Sequence, residues 1–249
     1  MTSPRWLRAG RIGPIVAGLA GFGAFVAELA PQANGFADTD DPSVSLRFVA
    51  AHPTDWAIAG VLFIVTSLAL IAAVIAINDR LAAAARADAT GDPGVGRRSV
   101  TVVGLFSAGF LFGHGVIRLA GGPMLYVDSL DGRWGETAYL VTQFVGVHLL
   151  AQGGILLLTI WILGVAWLAA ARRALPRPVA LLALIPGFRL LGLLGPWDVL
   201  PDGLWIFFMA AIPAGFLWLV LVGLSSADTL ASRAARPAGV LEASEAAGS

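Results

Sequence analysis

The 249-residue chain contains neither cysteine nor lysine. Without cysteine thiolates, it cannot form disulfides, thiolate metal sites or a covalently attached c-type haem, and it has no cysteine nucleophile. Without a lysine amine, it cannot form a Schiff base with retinal or pyridoxal phosphate. These two absences exclude several classes of metal-binding and cofactor-dependent protein.

Charge is also scarce. Only 13% of the residues are charged, whereas 57% are hydrophobic, and soluble domains usually have about 25% charged residues. No run of basic residues interleaved with aromatics indicates a nucleic-acid partner. The composition therefore predicts an integral membrane protein whose main surroundings are the lipid bilayer.

The longest apolar run lies within residues 136–173 and is closed by two arginines. At about 1.5 Å per residue, this run is long enough to cross a hydrocarbon core of about 30 Å. Shorter apolar runs recur along the chain, and Pro186 and Pro213 are expected to kink two of them. The sequence predicts an all-α bundle of six transmembrane helices, at residues 12–30, 56–77, 99–120, 138–171, 179–195 and 203–224.

The remaining segments complete the predicted organisation. Residues 1–11 form a basic arm, residues 12–224 the membrane domain and residues 225–249 a tail expected to be disordered. Cleavage of the first apolar run as a signal peptide is an open alternative. A short helix is predicted to begin at Pro42 and to stop at His52, because Pro53 disfavours helical geometry in the residue before it.

Arginine placement predicts the orientation of the bundle. If the N-terminal arm is cytoplasmic, the outer loops contain only Arg47 and Arg133, and the other loop and terminal arginines lie inside. The positive-inside rule thus predicts that both termini are cytoplasmic. Stripes of small residues, Gly13, Ala17 and Gly21 in the first span and the pair Gly109 and Gly113 in the third, are typical of close helix packing or of association with a second copy or another membrane protein.

Two short motifs accompany this six-span pattern: AAHP before the second span and RALPRP after the fourth. With them, residues 12–224 resemble the uncharacterised bacterial membrane proteins grouped as domain of unknown function 4386. The resemblance implies a six-helix protein of the bacterial cytoplasmic membrane. It implies no activity and assigns no role to any residue.

Ionisable and polar residues inside the spans are the candidate functional residues, because such groups are costly in lipid and usually face the bundle interior. Counted along the helices, they fall in the outer half of the predicted bundle, with His148 the deepest ionisable group. His148 also belongs to a stripe with Gln152 and Thr159 that is expected to face other helices. The candidate polar pocket consists of Glu28, His114, Arg118, His148, Gln152 and Arg189.

Each of these residues also has a purely structural interpretation. Glu28 and Arg118 would form an ion pair at the rim, and Arg189 would extend to the outer headgroups or to Asp198. The histidine stripe would be a hydrogen-bonded seam between helices. Axial ligation of a b-type haem by His114 and His148 is a further alternative, but two histidines alone are a weak signal, so no cofactor is predicted.

Three classes of function remain. The first is binding or transport of a small polar or anionic solute through the outward-facing polar layer. The second is a noncatalytic membrane partner or regulatory subunit in which that layer is structural. The third, an intramembrane enzyme, has the least support, because the chain has no HExxH motif, no GxSxG motif and no paired intramembrane aspartates.

Overall fold

The computed structural model describes residues 4–33, 42–87, 94–129, 134–193 and 202–234, and all regular structure within these ranges is helical. A stretch of π-helix at Phe144–Ala151, here called the π segment, lies within one long helical run. The α-helices are α1 (Pro4–Ala33), α2 (Pro42–Ala51), α3 (Pro53–Ala87), α4 (Val95–Ser129), α5 (Trp134–Gln143), α6 (Gln152–Ala171), α7 (Arg177–Leu182), α8 (Leu184–Gly187) and α9 (Asp202–Ala234).

Five helical stretches of the described chain are long and apolar enough to cross a membrane. They are Arg11–Ala30, Pro53–Ala85, Val95–Ala120, Leu140–Ala171 and Ile206–Ser225. Their positions correspond to five of the six predicted spans. The prediction of a polytopic helical membrane protein is confirmed at this level.

The predicted fifth span, residues 179–195, is not a continuous helix. The chain forms the short helices α7 and α8 and then a 3-10 stretch at Phe188–Leu193. Pro186 lies within α8, and proline has no amide hydrogen with which to continue an α-helical ladder. The sequence predicted a kink at this proline, whereas the structure divides the segment into three pieces.

Of two further predicted boundaries, one is confirmed and one is not. The short helix predicted from Pro42 is confirmed as α2, and the His52 amide donates to the Phe48 carbonyl oxygen at its end (3.0 Å). The last helix, α9, continues to Ala234, so the first part of the predicted disordered tail is helical. Residues 235–249 lie outside the described residues.

Neighbouring long helices run antiparallel. Gly13 of α1 lies against Ala73 of α3, and Gly23 against Leu62. Asn78, further along α3, accepts hydrogen bonds from Arg97 and Thr101 near the start of α4 (both 3.0 Å). We call the side of the bundle where α1 begins and α3 ends the N-terminal face, and the other side the opposite face.

The last helix also runs antiparallel to the first. Gly223 of α9 lies against Ile15 near the start of α1, while Gly21, further along α1, lies against Phe216. The α9 residues after Gly223 are therefore directed toward the N-terminal face. The segment Arg177–Leu193 packs beside α9, where the indole Nε1 of Trp218 donates to the Val179 carbonyl oxygen (2.8 Å) and Phe188 meets Phe207.

α3 and α4 approach each other closely at a pair of glycines. A methyl group on Gly115 would lie 2.8 Å from the Gly60 carbonyl oxygen, and one on Gly60 would lie 2.8 Å from the Gly115 carbonyl oxygen. Small residues of this kind allow the backbones of membrane helices to touch. Of the glycine pair singled out in the sequence, Gly113 lies against Leu150, whereas Gly109 has open space around it.

Replacing Gly115 by alanine is expected to destabilise the bundle by about 1–3 kcal/mol, because the added methyl group forces α3 and α4 apart. The apparent melting temperature of the purified protein in detergent measures this effect. Gly109→Ala, on the same helix, is the matched control, and it should leave the melting temperature unchanged or raise it, because alanine has the higher helix propensity. Equal losses in both variants would contradict the assigned helix contact.

Candidate functional site

Three of the predicted site residues form one cluster, here called the Glu28 cluster. The Arg118 guanidinium donates from Nη2 to Oε2 of Glu28 at 2.5 Å. The Nε2 atom of His114 lies 3.2 Å from Oε1 of the same carboxylate. One side chain from α1 therefore joins two side chains that lie one turn apart on α4, and the ion pair expected at Glu28 and Arg118 is present.

Side chains of α3 and a backbone group of the π segment surround the Glu28 cluster. The ring of Trp56, from α3, lies beneath the Arg118 guanidinium at 4.0 Å, and Phe63 meets the His114 ring edge-on at 4.6 Å. The Gly146 carbonyl oxygen, from the π segment, is 2.8 Å from Nδ1 of His114. His114 and Arg118 are both buried, while the Glu28 side chain is 25% exposed. Glu28 is thus the most exposed of the three side chains.

A second group, here called the Arg189 cluster, forms around the broken segment. Arg189 lies in the 3-10 stretch and is buried. Its Nη2 atom donates to Oε1 of Gln152, and its guanidinium carbon lies 3.7 Å from the centre of the Phe208 ring. Arg189 therefore contacts residues of α6 and α9 instead of extending toward headgroups. Asp198, its other proposed partner, lies outside the described residues.

The π segment connects the two clusters along one helix. Its Gly146 carbonyl oxygen contacts His114, and Gln152, the residue that follows the segment, binds Arg189. Short π-helical stretches are rare in proteins, and those that occur often lie at functional sites. In this chain the stretch and the residue after it supply contacts to both the Glu28 cluster and the Arg189 cluster.

The structure corrects the prediction for His148. Its side chain is exposed and meets the Phe144 ring at 6.2 Å between centroids, so it does not face the bundle interior. The other two members of the predicted stripe do turn inward: Thr159 is buried and donates to the Ile155 carbonyl oxygen (3.0 Å), and Gln152 binds Arg189. The prediction assumed α-helical winding, whereas His148 lies within the wider turns of the π segment.

The two spanning histidines therefore do not converge on a common ligand. Both ring nitrogens of His114 contact protein oxygens, and His148 lies on the exposed side of its helix. No group of three or more histidine, cysteine, aspartate or glutamate side chains that would suit a metal ion occurs among the described residues. The geometry offers no axial histidine pair for haem.

A cavity of about 10 Å³ adjoins the Glu28 cluster. This volume admits about one water molecule, which would need two to four polar partners. The Nε atom of Arg118 is buried and has no hydrogen-bond partner among the described residues. The cavity is lined by Val49, Trp56, His114, Ile117, Arg118, Thr142, Gln143, Gly146 and Val147.

Several contributors were missed in the sequence. Trp56 and Arg118 lie on different helices, and nothing in the sequence indicates that they stack. Phe208 carries no polar group that would mark it as the partner of Arg189. The role of Gly146 is exerted by its carbonyl group, which every residue has, so no sequence signal could have identified it.

Comparisons of the chain with protein-family models, with curated proteins and with solved structures gave no match. The resemblance to the family of unknown function 4386 therefore stays a prediction from the sequence. The described fold and site define the class of the protein: a polytopic helical membrane protein with two groups of bonded polar side chains between its helices.

Removing either partner of the Glu28–Arg118 ion pair is expected to destabilise the protein. Glu28→Ala and Arg118→Ala should each cost up to about 3–5 kcal/mol, because each leaves a charge of the other residue without its partner. The double variant should lose less than the sum of the two, with a coupling energy of about 0.5–3 kcal/mol. Equilibrium unfolding of the single and double variants in detergent measures this coupling.

His148→Ala is the control for that cycle. The His148 side chain is exposed and has no polar partner within the described part of the chain, so its loss should change stability by no more than about 0.5 kcal/mol. Strictly additive losses for Glu28 and Arg118, or a loss at His148 as large as theirs, would show that the cluster does not act as one unit.

Proposed function

We propose that this chain is a noncatalytic integral membrane protein in which the intramembrane charges fasten helices together. One observation supports this: His114 and Arg118 both contact the Glu28 carboxylate, and the adjoining cavity has room for about one water molecule. Sites for metabolite-sized ligands usually enclose about 300–1,000 Å³. The function belongs to the class of membrane partners and regulatory subunits.

The proposed membrane is the bacterial cytoplasmic membrane, with six crossings and both termini inside. The antiparallel packing of α1 and α9 supports an even number of crossings, because it directs the two ends of the chain toward the same face. Five long helices and the broken segment Arg177–Leu193 would supply the six. The arginine distribution favours the N-terminal face as the cytoplasmic one.

Binding or transport of a small polar or anionic solute is the second candidate, and a specific feature favours it. Two stretches of non-α backbone, the π segment and the broken segment, meet where Gln152 binds Arg189. Irregular backbone at membrane depth occurs where it is buried in protein or lines a cavity, and discontinuous helices form the substrate sites of many transporters. On this alternative, the described arrangement is the closed state.

A thermal-shift screen of the purified protein against soluble metabolites and lipids separates the two functions. For a structural layer, we expect no soluble metabolite to raise the melting temperature. A ligand present at 100 times its dissociation constant would add about 2.7 kcal/mol, which corresponds to roughly 5–10 °C for a chain of this size. Such a shift, lost in Arg189→Gln and kept in His148→Gln, would replace the structural proposal by the solute-binding one.

Cysteine labelling tests the proposed topology, because the chain has no cysteine of its own. Ser3→Cys and Ser249→Cys should react with a membrane-impermeant maleimide only in inverted vesicles, whereas Thr39→Cys should react in intact spheroplasts. Reaction of Ser3→Cys and Ser249→Cys from opposite sides would mean an odd number of crossings. The broken segment would then not cross the membrane.

A further inference from the structure

The contacts of His114 require one proton more than a neutral imidazole and an ionised Glu28 carboxylate together provide. The Nδ1 atom faces the Gly146 carbonyl oxygen at 2.8 Å, and Nε2 faces Oε1 of Glu28 at 3.2 Å. A carbonyl oxygen only accepts hydrogen bonds, and so does an ionised carboxylate. Both ring nitrogens of His114 therefore point at acceptors.

A neutral imidazole has one N–H group and cannot satisfy both acceptors. With the hydrogen on Nδ1, the Nε2 lone pair opposes the carboxylate of Glu28. With the hydrogen on Nε2, the Nδ1 lone pair opposes the Gly146 carbonyl oxygen. Both contacts become hydrogen bonds only when one more proton is present, either on the imidazole ring or on the Glu28 carboxyl group.

We propose that Glu28 and His114 form a proton-binding site, which holds one proton between Nε2 of His114 and Oε1 of Glu28 and exchanges it through a water molecule in the adjoining cavity. The chemical step is a proton transfer alone. A hydronium ion gives its proton to this pair and leaves a water molecule, and the reverse step returns the proton. This inference goes beyond the structural role and does not depend on it.

The cavity supplies the exchange route. His114 and Arg118 both line it, and it has room for about one water molecule. The Nε atom of Arg118 is buried without a hydrogen-bond partner among the described residues. Thr142 and Gln143 line the same cavity.

The charged surroundings of the pair come from each element packed against it. Arg118 of α4 bonds the second carboxylate oxygen of Glu28, while α3 presents the apolar rings of Trp56 and Phe63. The π segment presents the Gly146 carbonyl group, and its His148 is exposed. The other ionisable residues described on α2 and at the start of α3 are Arg47, His52 and Asp55.

Proton release would weaken the side-chain link between α1 and α4 at His114. Without the proton, the contact between His114 and Glu28 is repulsive, while the Glu28 bond to Arg118 remains. The proton-bound form is the arrangement described, so its stability is present at low pH and is lost as pH rises through the release of this proton. The site therefore links proton concentration to the packing of the opposite face of the bundle.

Histidine nitrogen NMR tests the proposal directly. In His52→Gln/His148→Gln protein labelled with ¹⁵N-histidine and placed in lipid nanodiscs, all signals come from His114. At neutral pH we expect either two protonated ring nitrogens, or one protonated nitrogen together with a carboxylic-acid infrared band that disappears in Glu28→Gln. One bare ring nitrogen without a carboxylic-acid band would overturn the proposal. The measurement requires no change in the site itself.

Glu28→Gln provides a second, matched test. The glutamine amide can donate to Nε2 of neutral His114 while its oxygen accepts from Arg118, so the same contacts form without the extra proton. The melting temperature of the unsubstituted protein should fall by a few degrees as pH rises from acidic to alkaline, and the fall should be absent in Glu28→Gln. The same fall in both proteins would show that this pair is not the proton site.

Discussion

The lipid bilayer offers no water to a polar group, so each charge within the spans must find its partner inside the protein. In this chain the carboxylate of Glu28 meets that requirement for two side chains at once, Arg118 and His114. Because Glu28 lies near the end of α1 and its partners lie in the second half of α4, the interaction links two helices that both pack against α3. The aromatic rings of α3 complete the enclosure.

The same constraint applies to the backbone. It departs from α-helical geometry at two places where a main-chain group or a side chain reaches its partner on another helix. The π segment presents the Gly146 carbonyl oxygen to His114, a contact that couples a main-chain group of one crossing to a side chain of another. The 3-10 stretch after α8 brings Arg189 between Gln152 and Phe208. Both departures lie in the half of the bundle that contains the Glu28 cluster.

The sequence predicted membrane crossing well, because hydropathy is a property of composition summed over a long stretch. It also predicted that Glu28 and Arg118 lie at similar depth, since the rise per residue of a helix converts position into depth. It failed for His148, because rotation about the helix axis depends on every turn, and one π-helical stretch changes the direction of the side chains around it. Breakage of the segment at Pro186 was predicted only as a kink, because the outcome depends on the contacts that α9 supplies.

Gln152 and Gly146 make the two clusters interdependent. The first binds Arg189 and the second contacts His114, and both belong to the same few turns of one helix. A change of winding within Phe144–Ala151 would rotate Gly146 relative to Gln152. The contact of Gly146 with His114 and the bond of Gln152 to Arg189 could then both persist only if one of the two clusters shifted. If the bundle is rigid, the Glu28 cluster and the Arg189 cluster must both hold this segment. If the bundle moves, both clusters must open together. The same geometry thus accounts for a structural layer and specifies the motion that any solute pathway through it would need.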